Sequence, residues 1–197
     1  MKVELHLHTS RYSPCAVASP AAMMRALIDC GYGAAYLTEH DQLWRDFEID
    51  DLQRDFPAIR IFGGVELTVG SHHIVVLGTT DRTYLQLEDE ADILAKAGEA
   101  GHAVVLAHPY RWPGGDDLLH RGLRPDAIEY FTNNHGDGEA ARAAETAAGL
   151  GIPLVNSSDA HNVDAVGRFW IETDEPLKES RDIRTAIRGG AYRCCPR

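Results

Sequence analysis

Short β-branched apolar runs alternate with longer Ala-rich segments along the whole chain, and Gly or Pro punctuates the joins. That alternation confines the chain to an α/β architecture. The spacing predicts strands over residues 3–8, 34–38, 58–67, 72–77, 103–107, 127–131, 153–156 and 167–172. Between them, Ser19-Pro20 reads as an N-cap followed by proline at the first helical position, and Cys30-Gly31 as the end of that helix. Further helices are predicted over 88–99, 138–149 and 178–188. Strand then helix, repeated, fits an open doubly wound sheet or a closed (β/α) barrel, and periodicity does not choose between them. Neither G-x-G-x-x-G after a strand nor G-x-x-x-x-G-K-[ST] occurs, so nucleotide cradling is unsupported. With 197 residues, no repeat and no long linker, one compact domain spanning 1–197 is the simplest expectation.

Acidic residues outnumber basic ones 30 to 19 and the cations are scattered, so a long nucleic acid is a poor partner. No segment approaches the ~20 continuous apolar residues of a membrane helix, and the N-terminus shows no apolar leader. The expected compartment is the cytoplasm, with Cys15, Cys30, Cys194 and Cys195 as reduced thiols. The unusual count is ten histidines against three lysines, Lys2, Lys96 and Lys178.

Those histidines and several carboxylates fall at the C-terminal ends of predicted strands. Along residues 3–8, alternation should send Val3, Leu5 and Leu7 to one face and Glu4, His6 and His8 to the other. Later strands run into Glu39-His40-Asp41, Glu66, His108-Pro109 and Ser158-Asp159-Ala160-His161. In a (β/α) barrel those ends share one rim, where such folds place their chemistry. His73 begins a strand, but a hairpin through Val69-Gly70-Ser71 would return it to that rim beside Glu66. Gathering so many donors without a cation would cost several kcal/mol for each unpartnered carboxylate, which divalent metals remove. The eight donors His6, His8, His40, Glu66, His73, His108, Asp159 and His161 exceed one tetrahedral ion, so two or more metals are expected, with Glu66 or Asp159 bridging.

The other histidines read differently. His102 precedes a strand on the opposite rim and His120 lies in a polar loop; both read as surface residues, and His72 should face away from His73. His135 reaches the right rim past its strand and is a candidate for substrate binding or proton transfer. Cys15 is a candidate thiolate ligand.

Taken in order, His6-Leu7-His8-Thr9, Thr38-Glu39-His40, Gly64-Val65-Glu66, His73 ahead of Val75-Val76-Leu77-Gly78, His108-Pro109 and Ser158-Asp159-Ala160-His161 resemble the PHP family, named for polymerase and histidinol phosphatase. The likeness spans nearly the whole chain. It implies a distorted seven-stranded (β/α) TIM-like barrel and a phosphoesterase with two or three divalent ions, zinc, manganese or iron. By position it implies His6, His8, Glu66 and Asp159 for the first metal, Glu66, His73 and His108 for the second, and His40 and His161 for a third. The chain departs from the trinuclear pattern at Tyr12-Ser13-Pro14-Cys15, where another His or acid follows the first motif, so Cys15 would have to complete the third site. Glu39 stands where Asp is usual.

The expected chemistry is hydrolysis of a small phosphate monoester by a metal-activated water. Arg11, Arg111 and Arg168 are candidates for countering phosphate charge, and Asp41 or His135 for protonating the leaving group. Two rivals remain at this stage. One is an amidohydrolase, whose barrel also opens with His-x-His, although no lysine here ends a strand to bridge metals; the other is a non-catalytic metal-binding module.

Overall fold

The computed structural model describes residues 1–196. The chain runs β1 (Lys2–Glu4), α1 (Pro20–Asp29), β2 (Ala34–Leu37), α2 (Asp46–Asp55), β3 (Arg60–Val69), β4 (His72–Leu77), α3 (Glu90–Ala100) and β5 (Ala103–Ala107). It continues through α4 (Asp117–His120), β6 (Ala127–Glu129), α5 (Asp137–Leu150), β7 (Leu154–Val155), β8 (Phe169–Thr173), α6 (Asp182–Gly189) and β9 (Tyr192–Pro196). None of these helices is long and apolar enough to cross a membrane.

One sheet holds all the strands in the order β7-β6-β5-β4-β3-β2-β1-β8-β9. Among the described residues it has nine strands, not the seven that the resemblance implied: eight overlap segments predicted as strands, and the ninth is β9, a short strand whose Arg-Cys-Cys-Pro sequence carries little β signal. The β3–β4 hairpin makes β4 antiparallel to both neighbours. β8 also runs antiparallel, against β1 and β9. The outer edges nearly meet: Tyr192 Oη donates to the Leu154 carbonyl at 2.6 Å. Past the strand ends, His8 N–H donates to Ala160 O at 2.9 Å, and Leu7 bridges Ala160 in parallel. The sheet is therefore barrel-like and almost closed.

Inside it lies an apolar plug of Val3, Leu5, Tyr36, Phe62, Val75, Val105 and Ile171, joined by Ile183 and Ile187 of α6. Each such aliphatic side chain contributes about 1.5–3 kcal/mol when withdrawn from water, so the far end is firmly stoppered and polar groups are confined to the rim. On the outside, Met23, Met24 and Leu27 of α1 cover Leu7, Leu37 and Ile61, while Ile93 and Ala97 of α3 cover Val65, Val76 and Val104. The predicted caps of α1 form, with Ala22 N–H donating to Ser19 Oγ at 3.2 Å and Gly31 at φ 78° closing the helix. Residues 41–56, where no helix is predicted, contain α2; a Glu48 carboxylate on Arg45 N–H (2.9 Å) starts this helix and Ile49 and Leu52 anchor it.

Candidate metal centre

The ladder of β1 stops at Glu4, and the reason lies in its own side chain. The buried Glu4 carboxylate accepts N–H groups from Leu5 (3.1 Å), His6 (3.2 Å) and Ser158 (2.9 Å), filling the seam between β1 and the segment after β7. Burial raises the Glu4 pKa to about 7, against the lowering effect of those bonds. The break overturns the simple alternation: Val3 and Leu5 join the interior plug, Leu7 packs outward with Met23, and His6 and His8 still turn inward. Two further ligand candidates are turned by backbone strain. His108 (φ 27°) and Asp159 (φ 47°) adopt positive φ, as does Asp41 (φ 49°), a conformation that non-glycine residues keep only where the surroundings impose it.

The outcome is a dense set of donors. His6 Nε2 and His8 Nε2 stand 3.1 Å apart, each 3.2 Å from Glu66 Oε2. They lie 3.5 and 3.1 Å from Asp159 Oδ1. Four ligands around a tetrahedral ion with bonds of about 2.0–2.1 Å are separated by about 3.3 Å, so the spacing suits an ion at their centre. On the other oxygen of the same carboxylate, His73 Nδ1 and His108 Nε2 approach Glu66 Oε1 at 2.7 and 3.1 Å, which makes Glu66 the shared residue. A third set, His8, His40 and His161, has its nitrogens within 4.8 Å of one another, and His40 Nδ1 also reaches Glu66 Oε2 at 2.7 Å. The hairpin therefore returns His73 to the rim as expected.

Two atoms test whether a cation fits. Glu66 Oε2 and Asp159 Oδ1 are buried and receive no hydrogen bond of proper geometry, although imidazole nitrogens crowd them. An ionised oxygen left so costs several kcal/mol unless a positive charge faces it. Without metal, protons take that part. Burial alone would lower the pKa of His6, but Asp159, Glu66 and Glu129 together raise it well above its ordinary value, and that of His8 is raised too. Burial would raise Glu66 and Asp159, yet His6 and its neighbours hold both below the usual carboxylate range.

A second layer of polar groups orients the imidazoles. His6 Nδ1 donates to Glu129 Oε1 at 2.8 Å, and Glu129 Oε2 accepts His108 N–H at 2.8 Å. Ser13 gives its single hydroxyl hydrogen to Glu39 Oε2 at 2.6 Å and accepts His40 N–H at 3.2 Å. Its oxygen, 3.3 Å from His8 Nδ1, can then only accept, which places a proton on Nδ1 and directs Nε2 to the cleft. Trp44 Nε1 (3.0 Å) and Thr9 N–H (2.9 Å) complete the cage around Glu39. Asn134 donates to Asp159 Oδ2. Glu129 and Asn134 carried no sequence assignment; the signal available was position, since Glu129 ends β6 and His108 directly follows β5.

The structure places the remaining candidates as follows, with Cys15, Asp41 and His102 standing apart from their expected positions. Cys15 is exposed and belongs to none of the donor sets among the described residues, because its turn points Ser13 inward instead. Asp41 is exposed and its carboxylate caps Thr68 N–H at 2.8 Å, on a pocket that contains none of the imidazoles. His135 lies on the rim but outside the donor sets; Nδ1 is tied to Tyr130 O at 2.9 Å and the buried Nε2 has no partner. Arg11 is paired with Glu48, and Arg168 meets Asn133 Oδ1 only at 3.5 Å. Arg111 stacks on Trp112, 4.3 Å from its ring centre. His102, read as a surface residue, is buried against Tyr84 Oη at 2.9 Å, whereas His120 is exposed. His72 faces away from the site, as alternation required, toward Glu90 and Leu118 N–H.

Residues 139–192 match the family model PHP_C, described as PHP-associated. No curated protein matches the sequence. Among solved structures, the fold is shared with a two-domain protein from Bacteroides vulgatus containing a predicted PHP-like metal-dependent phosphoesterase, at TM-score 0.73 and 17% identity over 99% of this chain. This chain spans 64% of that protein's length. PsfC from Pseudomonas syringae matches at TM-score 0.71 and 21% identity, covering 100% of this chain and 91% of PsfC. An amidohydrolase from Chromobacterium violaceum, with bound sulfate and no metal, matches at TM-score 0.65 and 17% identity over 98% of both chains. The C-terminal segment is thus similar to a PHP-associated sequence family, and the fold of the whole chain is shared with these solved structures.

Proposed function

We propose that this protein is a metal-dependent phosphoesterase acting on a small phosphate monoester. The observation that carries the reading is the pair of buried, unpartnered oxygens, Glu66 Oε2 and Asp159 Oδ1, facing the His6 and His8 nitrogens. His6, His8, Glu66 and Asp159 would hold one ion, Glu66, His73 and His108 a second, and His40 and His161 with His8 a third. Divalent ions there, zinc, manganese or iron, supply a water made nucleophilic at neutral pH and neutralise phosphate charge. The chain's own groups do the rest. Glu129, Ser13 and Asn134 orient the ligands, and Arg111, which has no carboxylate partner within 4.0 Å among the described residues, is available to an anionic substrate. The net charge of −11 disfavours a long polyanion.

An amidohydrolase reading is favoured by the name of the Chromobacterium protein. It is opposed by the lysines: Lys2 lies over Tyr32 and Trp170, Lys96 pairs with Asp81, and Lys178 precedes α6 on the stoppered end, so none can bridge metals. Turnover of manganese- or zinc-loaded protein on a panel of phosphate monoesters and amides separates the readings. Hydrolysis of esters alone is expected; hydrolysis of amides alone would reverse the assignment, and turnover of neither would leave a metal-binding module.

A further inference from the structure

Among the described residues, the exposed aromatic side chains are Phe47 and Trp112; Trp112, 41% exposed, stands at the edge of the metal centre. Its ring lies 4.9 Å from that of His73 at a 47° tilt, and 5.5 Å from that of His108, nearly perpendicular. These are the two imidazoles gathered on Glu66 Oε1. Beside the indole opens a cavity of about 230 Å³ lined by Gly70, Ser71, His73 and Trp112.

The indole is held there by its loop. Arg111 N–H donates to His108 O at 3.0 Å and Gly115 N–H to Trp112 O at 3.3 Å, two consecutive turns that leave residue 112 no slack. Ser71 Oγ donates to Gly114 O at 2.9 Å, fastening the loop to the tip of the β3–β4 hairpin. At position 115 a Cβ would come within 2.3 Å of Pro109 O, so the tight path depends on glycine there. Nothing in the apolar core requires an indole at the surface, where it leaves apolar area in water. Arg111, stacked on the indole, brings a cation without a carboxylate partner to the same wall.

We propose that Trp112 is a specificity-determining residue: a stacking platform for a planar aromatic ring carried by the leaving group of the phosphate ester, with Arg111 steering the anion. The substrate class is then a monoester of an aryl- or heteroaryl-bearing alcohol, in which the phosphate sits at the donor cage and the ring lies in the cavity against the indole. The claim rests on the phosphoesterase reading for its substrate, but the platform is testable by binding alone. Stacking on an aromatic face favours a planar ring over a saturated one of similar size because only the former presents a π-face.

The test is calorimetric titration of manganese-loaded protein with two non-hydrolysable ligands, benzylphosphonate and cyclohexylmethylphosphonate. The expected result is about tenfold tighter binding of the benzyl compound. Trp112→Leu should abolish that ratio and Trp112→Phe retain part of it, with both variants melting like the parent. Equal affinities in the unaltered protein, or a preference that survives Trp112→Leu, would overturn the proposal. If the preference follows Trp112 while benzyl phosphate and ethyl phosphate are both left unhydrolysed, the platform stands and the phosphoesterase reading falls.

Discussion

At the scale of single residues, the fold places imidazoles where unsatisfied carboxylate oxygens need cations. His8 Nε2 sits within 3.2 Å of both Glu66 and Asp159, so His8→Ala should lower bound metal by at least one ion per chain and phosphatase turnover by a hundredfold or more. Unchanged metal content and turnover would contradict the assignment. Glu129 acts at one remove: it touches His6 Nδ1 and the His108 backbone. Glu129→Gln should weaken metal affinity about 10–100-fold, measured by competition with a chelator, with the fold retained. The ligand candidates themselves were legible in sequence because most lie at or just past predicted strand ends, and His73 at the start of the strand that the hairpin returns to the same rim. Their supports were not. Ser13 and Glu39 acquire their meaning only when the turn over residues 9–15 packs against the end of β2, a contact that no local spacing encodes. Cys15 shows the converse: chemistry attractive on paper is lost when one turn of backbone faces the side chain outward.

Among elements, those with strong periodicity were the readable ones. β4 and β5 fall over the predicted residues, and α1 follows its Ser-Pro start and Gly stop. α2 was hidden because its acidic surface leaves Ile49 and Leu52 as its buried apolar residues, too few for a clear period, and β9 because its strand character comes from pairing with β8. His102 was misread for a similar reason. It precedes β5 and is packed beneath Tyr84, in a segment whose 3₁₀ turn (Arg82–Gln86) had no sequence signature. Burial, then the Arg181 charge, lowers its pKa below the ordinary histidine value. The folded chain thus binds this proton less readily than the unfolded one, so stability rises with pH through the interval between the two pKa values. Its contribution is complete above about pH 6.5 and is lost as pH falls toward the folded value. Over pH 5 to 7 Glu4 contributes the opposite slope, so the His102 contribution is read as a difference: the stability lost on His102→Gln in denaturant unfolding should grow as pH rises from 5 to 7, and a loss independent of pH would remove His102 as a titrating group.

For the molecule as a whole, the barrel couples metal binding to stability, because donors on six strands or their continuations must stay together for any ion to be held. The raised pKa values of His6 and His8 stabilise the metal-free fold below about pH 6.5, and this contribution is lost as pH climbs through their folded values. The depressed Glu66 and Asp159 contribute above about pH 4 and lose their effect as acid protonates them. Chelated protein should therefore melt at progressively lower temperature from pH 7 to 9. Saturating metal should raise the melting temperature by roughly 5–10 °C at pH 7.5 and release protons as it binds. Metal addition with no change in melting would show that the cage is not a high-affinity site. The architecture itself was half visible: strand–helix alternation declared the α/β class, whereas the count of nine strands and the near closure through Tyr192 and Leu154 depend on contacts between chain regions far apart in sequence. The most direct measurement is anomalous diffraction from crystals of protein purified without chelator and grown with manganese. At least two peaks about 3.5–4 Å apart, with the Glu66 carboxylate between them, are predicted; a cage free of anomalous signal at full manganese occupancy elsewhere, or ions bound only outside it, would contradict the account.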